Sequence, residues 1–348
     1  MKYIPIPKEN DHTNMKILIT APYHDKAQQV LKEHFGEVIY KPWKLQERAY
    51  NEAELSALLR ETGADALITE HDHVTPAVIT AFPGLQFIGV CRGTPSNVAV
   101  ATATSLGIPV FNTPARNAQA VAEMFIANLI TLMRNTLAGI AWLKGGHWEA
   151  GAHTSYLQFK GNEIAGKTIG MVGFGAVGQT IANLVKHFPA QILYYDPFYT
   201  SDDPDYQKVS LEDVFRLSDV VSIHLPVTPE TEGMIGAELI GLMKKDAIFV
   251  NTARAVVVQR EVLLAAIESH AIRGAILDVF DHEPPDALDY RLIHHQNVLA
   301  TPHIAGATFE VEDHHADIMN KALLGFYKEG NRNVRQLVNR GELSAKTH

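Results

Sequence analysis

Short apolar runs alternate with stretches of helical periodicity along nearly the whole chain. MKILIT (Met15 to Thr20), ALIT (Ala66 to Thr69), LQFIGV (Leu85 to Val90) and IPVFNT (Ile108 to Thr113) read as strands, each a brief apolar run closed by turn formers. Between them Ala27, Val30, Leu31 and Phe35 recur at helical spacing. Thr75 before Pro76 marks a helix start, and SNVAVATATSLG reads as a helix ended by Gly107. Asn117 to Arg134 is a long helical stretch, followed by a looser segment holding Trp142 and Trp148. A second, longer series then begins. KTIGMV, QILYY, VVSIHLP, AIFVNT, AILDVF and NVLATPH read as strands; Ala176 to Phe188, LEDVFRLS, GAELIGLM and REVLLAAIESH read as helices.

Strand–helix alternation implies parallel sheets, because a parallel crossover needs a helix to span it. The expected architecture is α/β, with two doubly wound parallel-sheet domains. Glu310 to Tyr327 reads as a last helix that returns to the first series. The smaller domain is then discontinuous, 15–116 plus 312–348, the larger is 117–311, and residues 1–14 form a polar N-terminal extension.

The chain has 348 residues, long enough for two domains. Its net charge of −9, without a basic block, argues against nucleic acid or an anionic membrane as partner. The single cysteine, Cys91, excludes an internal disulfide and a cysteine-cluster metal site, and suits a reducing cytoplasm. The first residues lack the apolar run of a secretory signal, so the expected location is cytoplasmic. No run approaches the ~18 apolar residues of a membrane helix. His71-Asp72-His73 looks like a metal pair, but no further ligand cluster supports it, and no metal is expected.

GFGAVG, Gly173 to Gly178, follows a strand and opens a helix, which is the context a dinucleotide fingerprint needs. Gly173 allows the turn, Gly175 lets backbone approach a pyrophosphate, and Gly178 lets helix pack on strand. The helix start at Ala176 and Val177 offers N–H groups to the phosphates. Asp196 ends the next strand, 18 residues past Gly178, where a carboxylate accepts both ribose hydroxyls of NAD and repels a 2′-phosphate.

Arg254, Glu283 and His303 each follow an apolar run, so all three could converge on one sheet edge, where open α/β folds bind ligands. A cation would hold an anionic substrate, an imidazole would move a proton, and a carboxylate would orient and charge that imidazole. Taken singly, each has a bland reading: surface ion-pair partner, turn residue before Pro284-Pro285, or satisfied loop histidine. The combination favours hydride transfer on a small carboxylate-bearing substrate.

From about Met15 to Asn339 the chain closely resembles the D-isomer-specific 2-hydroxyacid dehydrogenase family, relatives of phosphoglycerate and glycerate dehydrogenases. FIGVCRGTPSNV, GIPVFNTPARNAQAVAE, GKTIGMVGFGAVGQTIA, SIHLPVTPETEGMI, VNTARAVVV, GAILDVFDHEP and TPHIAGAT carry the resemblance. It implies a Rossmann NAD-binding domain and a smaller flavodoxin-like substrate domain. It also implies that Arg254 binds the substrate carboxylate and keto oxygen, that His303 is the acid/base, and that Glu283 hydrogen-bonds it. The N–H groups of Arg92, Gly93 and Thr94 would hold the carboxylate, and Asp278 would face the nicotinamide amide. Leu225, Pro226, Thr252 and His303 to Gly306, with Ala305 among them, would line the cofactor. A homodimer joined by the cofactor domains is a further implication, consistent with the apolar stretch Val121 to Trp148.

The chain departs from the family pattern at Thr94-Pro95-Ser96-Asn97, where Gly-x-Asp-Asn is usual, and at Ala255 and Gln259. These changes bear on the substrate rather than the chemistry. Glu70 and His71 end the ALIT strand and are expected to read the substrate's far end. A hydroxylated, sugar-derived acid able to bond both is the favoured substrate. The alternatives are an NADH-sensing interaction protein on the same scaffold, whose relatives keep the trio, and a formate- or phosphite-type dehydrogenase.

Overall fold

A computed structural model of the chain describes residues 14–148 and 152–344. Of the expected N-terminal extension only Asn14 is among them. The chain divides into two compact units, one of Met1–Arg116 with Thr308–His348, the other of Asn117–Ala307. The return falls at Ala307/Thr308 rather than after residue 311, because the last helix, Glu310–Tyr327, belongs whole to the first unit.

The first unit holds strands β1 (Met15–Ile19), β2 (Gly36–Tyr40), β3 (Ala66–Thr69), β4 (Ile88–Val90) and β5 (Val110–Asn112). They pair in parallel in the order β2-β1-β3-β4-β5, the flavodoxin-like order, with its switch point between β1 and β3. Helix Glu310–Tyr327 buries Ala316, Met319, Leu323 and Phe326 against Ile17, Ile19, Phe87 and Phe111. The opposite face is covered by Leu55, Leu59, Val78 and Ile79.

The second unit holds β6 (Thr168–Val172), β7 (Gln191–Tyr195), β8 (Tyr206–Lys208), β9 (Val220–Ile223), β10 (Ile248–Asn251), β11 (Gly274–Leu277) and β12 (Val298–Ala300). All pair in parallel, in the order β12-β11-β10-β9-β6-β7-β8. This is the Rossmann order with one strand added, and its switch point lies between β6 and β9. Helices Ala118–Met133 and Ala176–Val185 pack Phe125, Leu129 and Ile181 on one face, while Leu263 and Ile267 of Arg260–Glu268 cover the other.

Several elements differ from the sequence reading. β2 and β8 were not expected; both are edge strands, and their partly exposed residues break the apolar run a buried strand shows. The segment around Trp142 is not loose, since Thr136–Lys144 is a helix, though none of its residues is buried. Glu52–Thr62 is a helix opened by a capping box, Asn51 with Glu54. Among the described residues no single helix is long and apolar enough to cross a membrane.

Candidate active site

The glycine loop follows β6, at the switch point of the second sheet. Gly173 has φ +89°, and a Cβ there would meet the His224 carbonyl oxygen at 2.7 Å, so only glycine fits. A Cβ on Gly178 would meet the Gly173 carbonyl oxygen at 2.8 Å, which sets how closely the helix packs on the strand. A Cβ on Gly175 would meet nothing within 4 Å. Gly175 is also the N-cap of Ala176–Val185, and no side chain caps that helix. Open space therefore lies over uncapped N–H groups at the positive end of a helix, including those of Ala176 and Val177. That arrangement suits a pyrophosphate.

Asp196 stands just past β7. Its Oδ2 accepts from the Phe174 N–H at 2.8 Å, and its Oδ1 from the Phe198 and Tyr199 N–H groups at 2.8 and 3.0 Å. The carboxylate thus ties the glycine loop to the adjoining turn. Oδ2 retains one lone pair, so the group can still accept a ribose hydroxyl. Leu225 and Pro226 follow β9 across the switch point. His224, just before them, was not singled out in the sequence. Burial pushes its imidazole down to about 4, so it is neutral at neutral pH. Its Nε2 is buried without a partner among the described residues, as is the Thr252 hydroxyl beyond β10. Two orphaned polar atoms along one sheet edge fit a polar ligand such as a dinucleotide.

The trio occupies the C-terminal ends of three neighbouring strands of this unit: Arg254 after β10, Glu283 after β11 and His303 after β12. Strand spacing puts the outer two roughly 10 Å apart at the backbone, within reach of an arginine side chain. Glu283 and His303 meet directly. The His303 Nδ1–H donates to Glu283 Oε2 at 2.8 Å, which fixes the tautomer and leaves Nε2 for a substrate. Both side chains are about half exposed, 43% and 48%, so the pair is open to a ligand. His303 has φ +54°, a left-handed conformation rare outside glycine, and such strain clusters at functional positions.

Arg254 makes no ion pair among the described residues. Its guanidinium donates to its neighbour's carbonyl, Ala253 O, at 2.6 Å, and is exposed. Its turn is set by Asn251, 2% exposed, whose Nδ2 donates to Arg254 O at 2.9 Å while its Oδ1 accepts from Ala253 N at 3.0 Å. Neither sequence pattern nor motif had pointed to Asn251.

Asp278 follows β11 directly. It is 1% exposed, and its carboxylate is committed to the histidine loop. Oδ1 accepts from the Thr301 hydroxyl at 2.6 Å and Ile304 N–H at 2.9 Å, and Oδ2 from Ala305 N–H at 2.8 Å. It shapes the turn that holds His303 left-handed. At Gly306 a Cβ would meet Asn117 Nδ2 at 2.6 Å, so glycine there admits the start of the long helix.

In the first unit Glu70 departs from its expected role. It is 5% exposed, with Oε1 accepting from Arg116 at 2.6 Å and Oε2 from the Trp43 indole N–H at 3.0 Å. Burial pushes its carboxyl up, but Arg116 and His71 outweigh this and leave it below the usual carboxylate range. Arg116 in turn donates to His315 Nδ1 at 3.0 Å, and His315 is fully buried. Glu70 is thus an internal counterion, not a reader of substrate. His71 is different: its side chain is 41% exposed and stands edge-on to Trp43, ring centroids 5.3 Å apart. Burial, the largest influence, lowers its pKa, so it is neutral at neutral pH.

The carboxylate loop after β4 needs one correction. The Arg92 N–H already donates to Val90 O at 2.7 Å. The N–H groups of Gly93 and Thr94 are exposed and donate to no acceptor among the described residues, so these two can serve an anion. In place of the metal pair, Asp72 is buried and accepts from Thr20, Thr69 and Tyr50 N at 2.5–2.7 Å.

Residues 126–305 match the family model for the D-isomer specific 2-hydroxyacid dehydrogenase, NAD binding domain. A Bacillus subtilis protein, YoaD, whose name assigns it to the 2-hydroxyacid dehydrogenases, is 56% identical over 330 residues, 95% of this chain and 96% of that one. A glyoxylate reductase of Thermococcus litoralis is 33% identical, covering 90% and 94%. The solved structure of D-2-hydroxyisocaproate dehydrogenase superposes with a TM-score of 0.77 at 25% identity, over 91% of this chain and 98% of that one. With the glycine loop, the acid past β7 and the paired histidine at the same sheet's edge, this places the chain in the D-isomer-specific 2-hydroxyacid dehydrogenase family, as an NAD-dependent oxidoreductase.

Proposed function

We propose that the chain interconverts a small 2-keto acid and its D-2-hydroxy acid, with His303 as proton carrier, Glu283 as its orienting partner and Arg254 as the cation for carboxylate and keto oxygen. The observation that carries this reading is the 2.8 Å bond from His303 Nδ1–H to Glu283, which leaves Nε2 for the substrate oxygen. When bound, NADH supplies the hydride. As the keto carbon is reduced, His303 gives its Nε2 proton to the developing alkoxide, and Arg254 offsets the negative charge. In oxidation neutral His303 takes the hydroxyl proton. The free N–H groups of Gly93 and Thr94 are proposed carboxylate donors.

The finer substrate reading now rests on His71 alone. A neutral imidazole bonds a hydroxyl readily but gains nothing from a phosphate's charge, so we favour a hydroxylated, unphosphorylated tail. A panel of 2-keto acids followed by NADH oxidation tests this, with His71→Ala compared on hydroxypyruvate and 2-oxobutanoate. We expect the substitution to cost hydroxypyruvate about tenfold more in kcat/KM, the worth of one hydrogen bond. Equal losses on both would remove His71 from specificity.

The assembly is proposed to be a homodimer built on the second unit. Leu137, Ile140, Leu143, Trp148, Tyr156 and Leu157 are each 45–70% exposed, an apolar surface unusual for a monomer. Light scattering should give twice the chain mass; a monomer at every concentration would contradict the proposal.

A further inference from the structure

Three carboxylates converge on one guanidinium beside the turn that carries Glu283. Arg260, the first residue of its helix, has Nε 3.1 Å from Asp281 Oδ2, Nη2 2.9 Å from Asp286 Oδ2, and Nη1 2.9 Å from Asp289 Oδ1. Its own-helix neighbour Glu261 lies 3.5 Å from Nε. Asp289 is almost wholly buried, and its other oxygen accepts from the His282 and Asp286 N–H groups, each at 3.2 Å. The His282 ring closes the cluster, with Nδ1 3.1 Å from Asp286 Oδ2.

The segment Asp281 to Asp286 is therefore held at both ends, by Arg260 directly and by Asp289 through backbone. Glu283 sits at its centre, and within the turn its carboxylate is tied only by a long contact from Phe280 N–H at 3.4 Å among the described residues. A planar fork can serve three acids at once, which a lysine ammonium cannot do with the same geometry. A buried acid such as Asp289 needs that partner, so the clamp has one stable arrangement.

We propose that Arg260 is a positioning residue for Glu283, fixing the turn that presents this carboxylate to His303 without itself touching substrate. The proposal rests on the reading of Glu283 and His303 given above. A shift of an ångström in a catalytic group costs on the order of 100-fold, so a loosened turn is expected to show in kcat.

The test is a double-mutant cycle on the full chain, with Arg260→Gln, Glu283→Gln and both together. Turnover is measured with the best 2-keto acid, and NADH affinity by fluorescence. Arg260→Gln should lower kcat about tenfold or more while the NADH Kd stays within about twofold. In the Glu283→Gln background the same change should cost less than about twofold, because its target is already gone. Equal fold-losses in both backgrounds would overturn the inference and leave Arg260 a stabilising residue only. If Glu283→Gln alone leaves kcat intact, the Glu283–His303 reading fails and takes this inference with it. Should Arg260→Gln not fold, Asp281→Asn replaces it in the cycle, since it cuts one tie to the turn and keeps the buried Arg260–Asp289 pair; the same additive outcome overturns the proposal.

Discussion

His303→Ala is expected to lower kcat by ~10²–10⁴-fold, the usual worth of a placed general acid–base, while leaving NADH binding unchanged. The two effects separate because His303 lies beyond β12, whereas the glycine loop and Asp196 follow β6 and β7. The His303 side chain is 48% exposed, so its truncation opens no buried cavity and the fold should change little. Stopped-flow turnover together with NADH fluorescence reads both quantities. A loss below about threefold would remove His303 from the chemistry.

Arg254→Leu should cost ~10²–10³-fold in kcat/KM, in the range seen when one preorganised donor to a developing oxyanion is removed. Its guanidinium has no carboxylate partner among the described residues, so removal strands no buried charge and stability should hold. Arg254→Lys should recover only part of the loss, because an ammonium keeps the charge and not the fork. Steady-state kinetics with thermal melts distinguish this from unfolding. A variant that melts early and regains full activity on cooling would point to a structural role instead.

The central strands of both sheets were legible because strands buried on both faces appear as continuous apolar runs. β2 and β8 were not, since edge strands carry exposed polar residues that look like loop. The trio was legible because each member follows such a run, and strand ends are where α/β sheets present chemistry. Partners distant in sequence were the hidden part. A carboxylate at a strand end looks the same whether it faces solvent or an arginine, and Glu70 faces Arg116, 46 positions on. Asp278 shows the same limit: its motif says nothing of the loop from Thr301 to Ala305, from whose hydroxyl and N–H groups its carboxylate accepts. Asn251 and Arg260 have no motif of their own, and only the folded turn shows what they hold.

Hydride transfer itself is most directly tested with NADH carrying deuterium at the transferred position. The wild-type protein is incubated with this cofactor and, in turn, glyoxylate, pyruvate, hydroxypyruvate and longer 2-keto acids, and the products are read by NMR and chiral chromatography. The expected result is deuterium on the C2 carbon of a D-2-hydroxy acid, lost when His303 is replaced. NADH that binds by fluorescence yet delivers deuterium to no acid in the panel would contradict the account and favour a sensing protein on this scaffold.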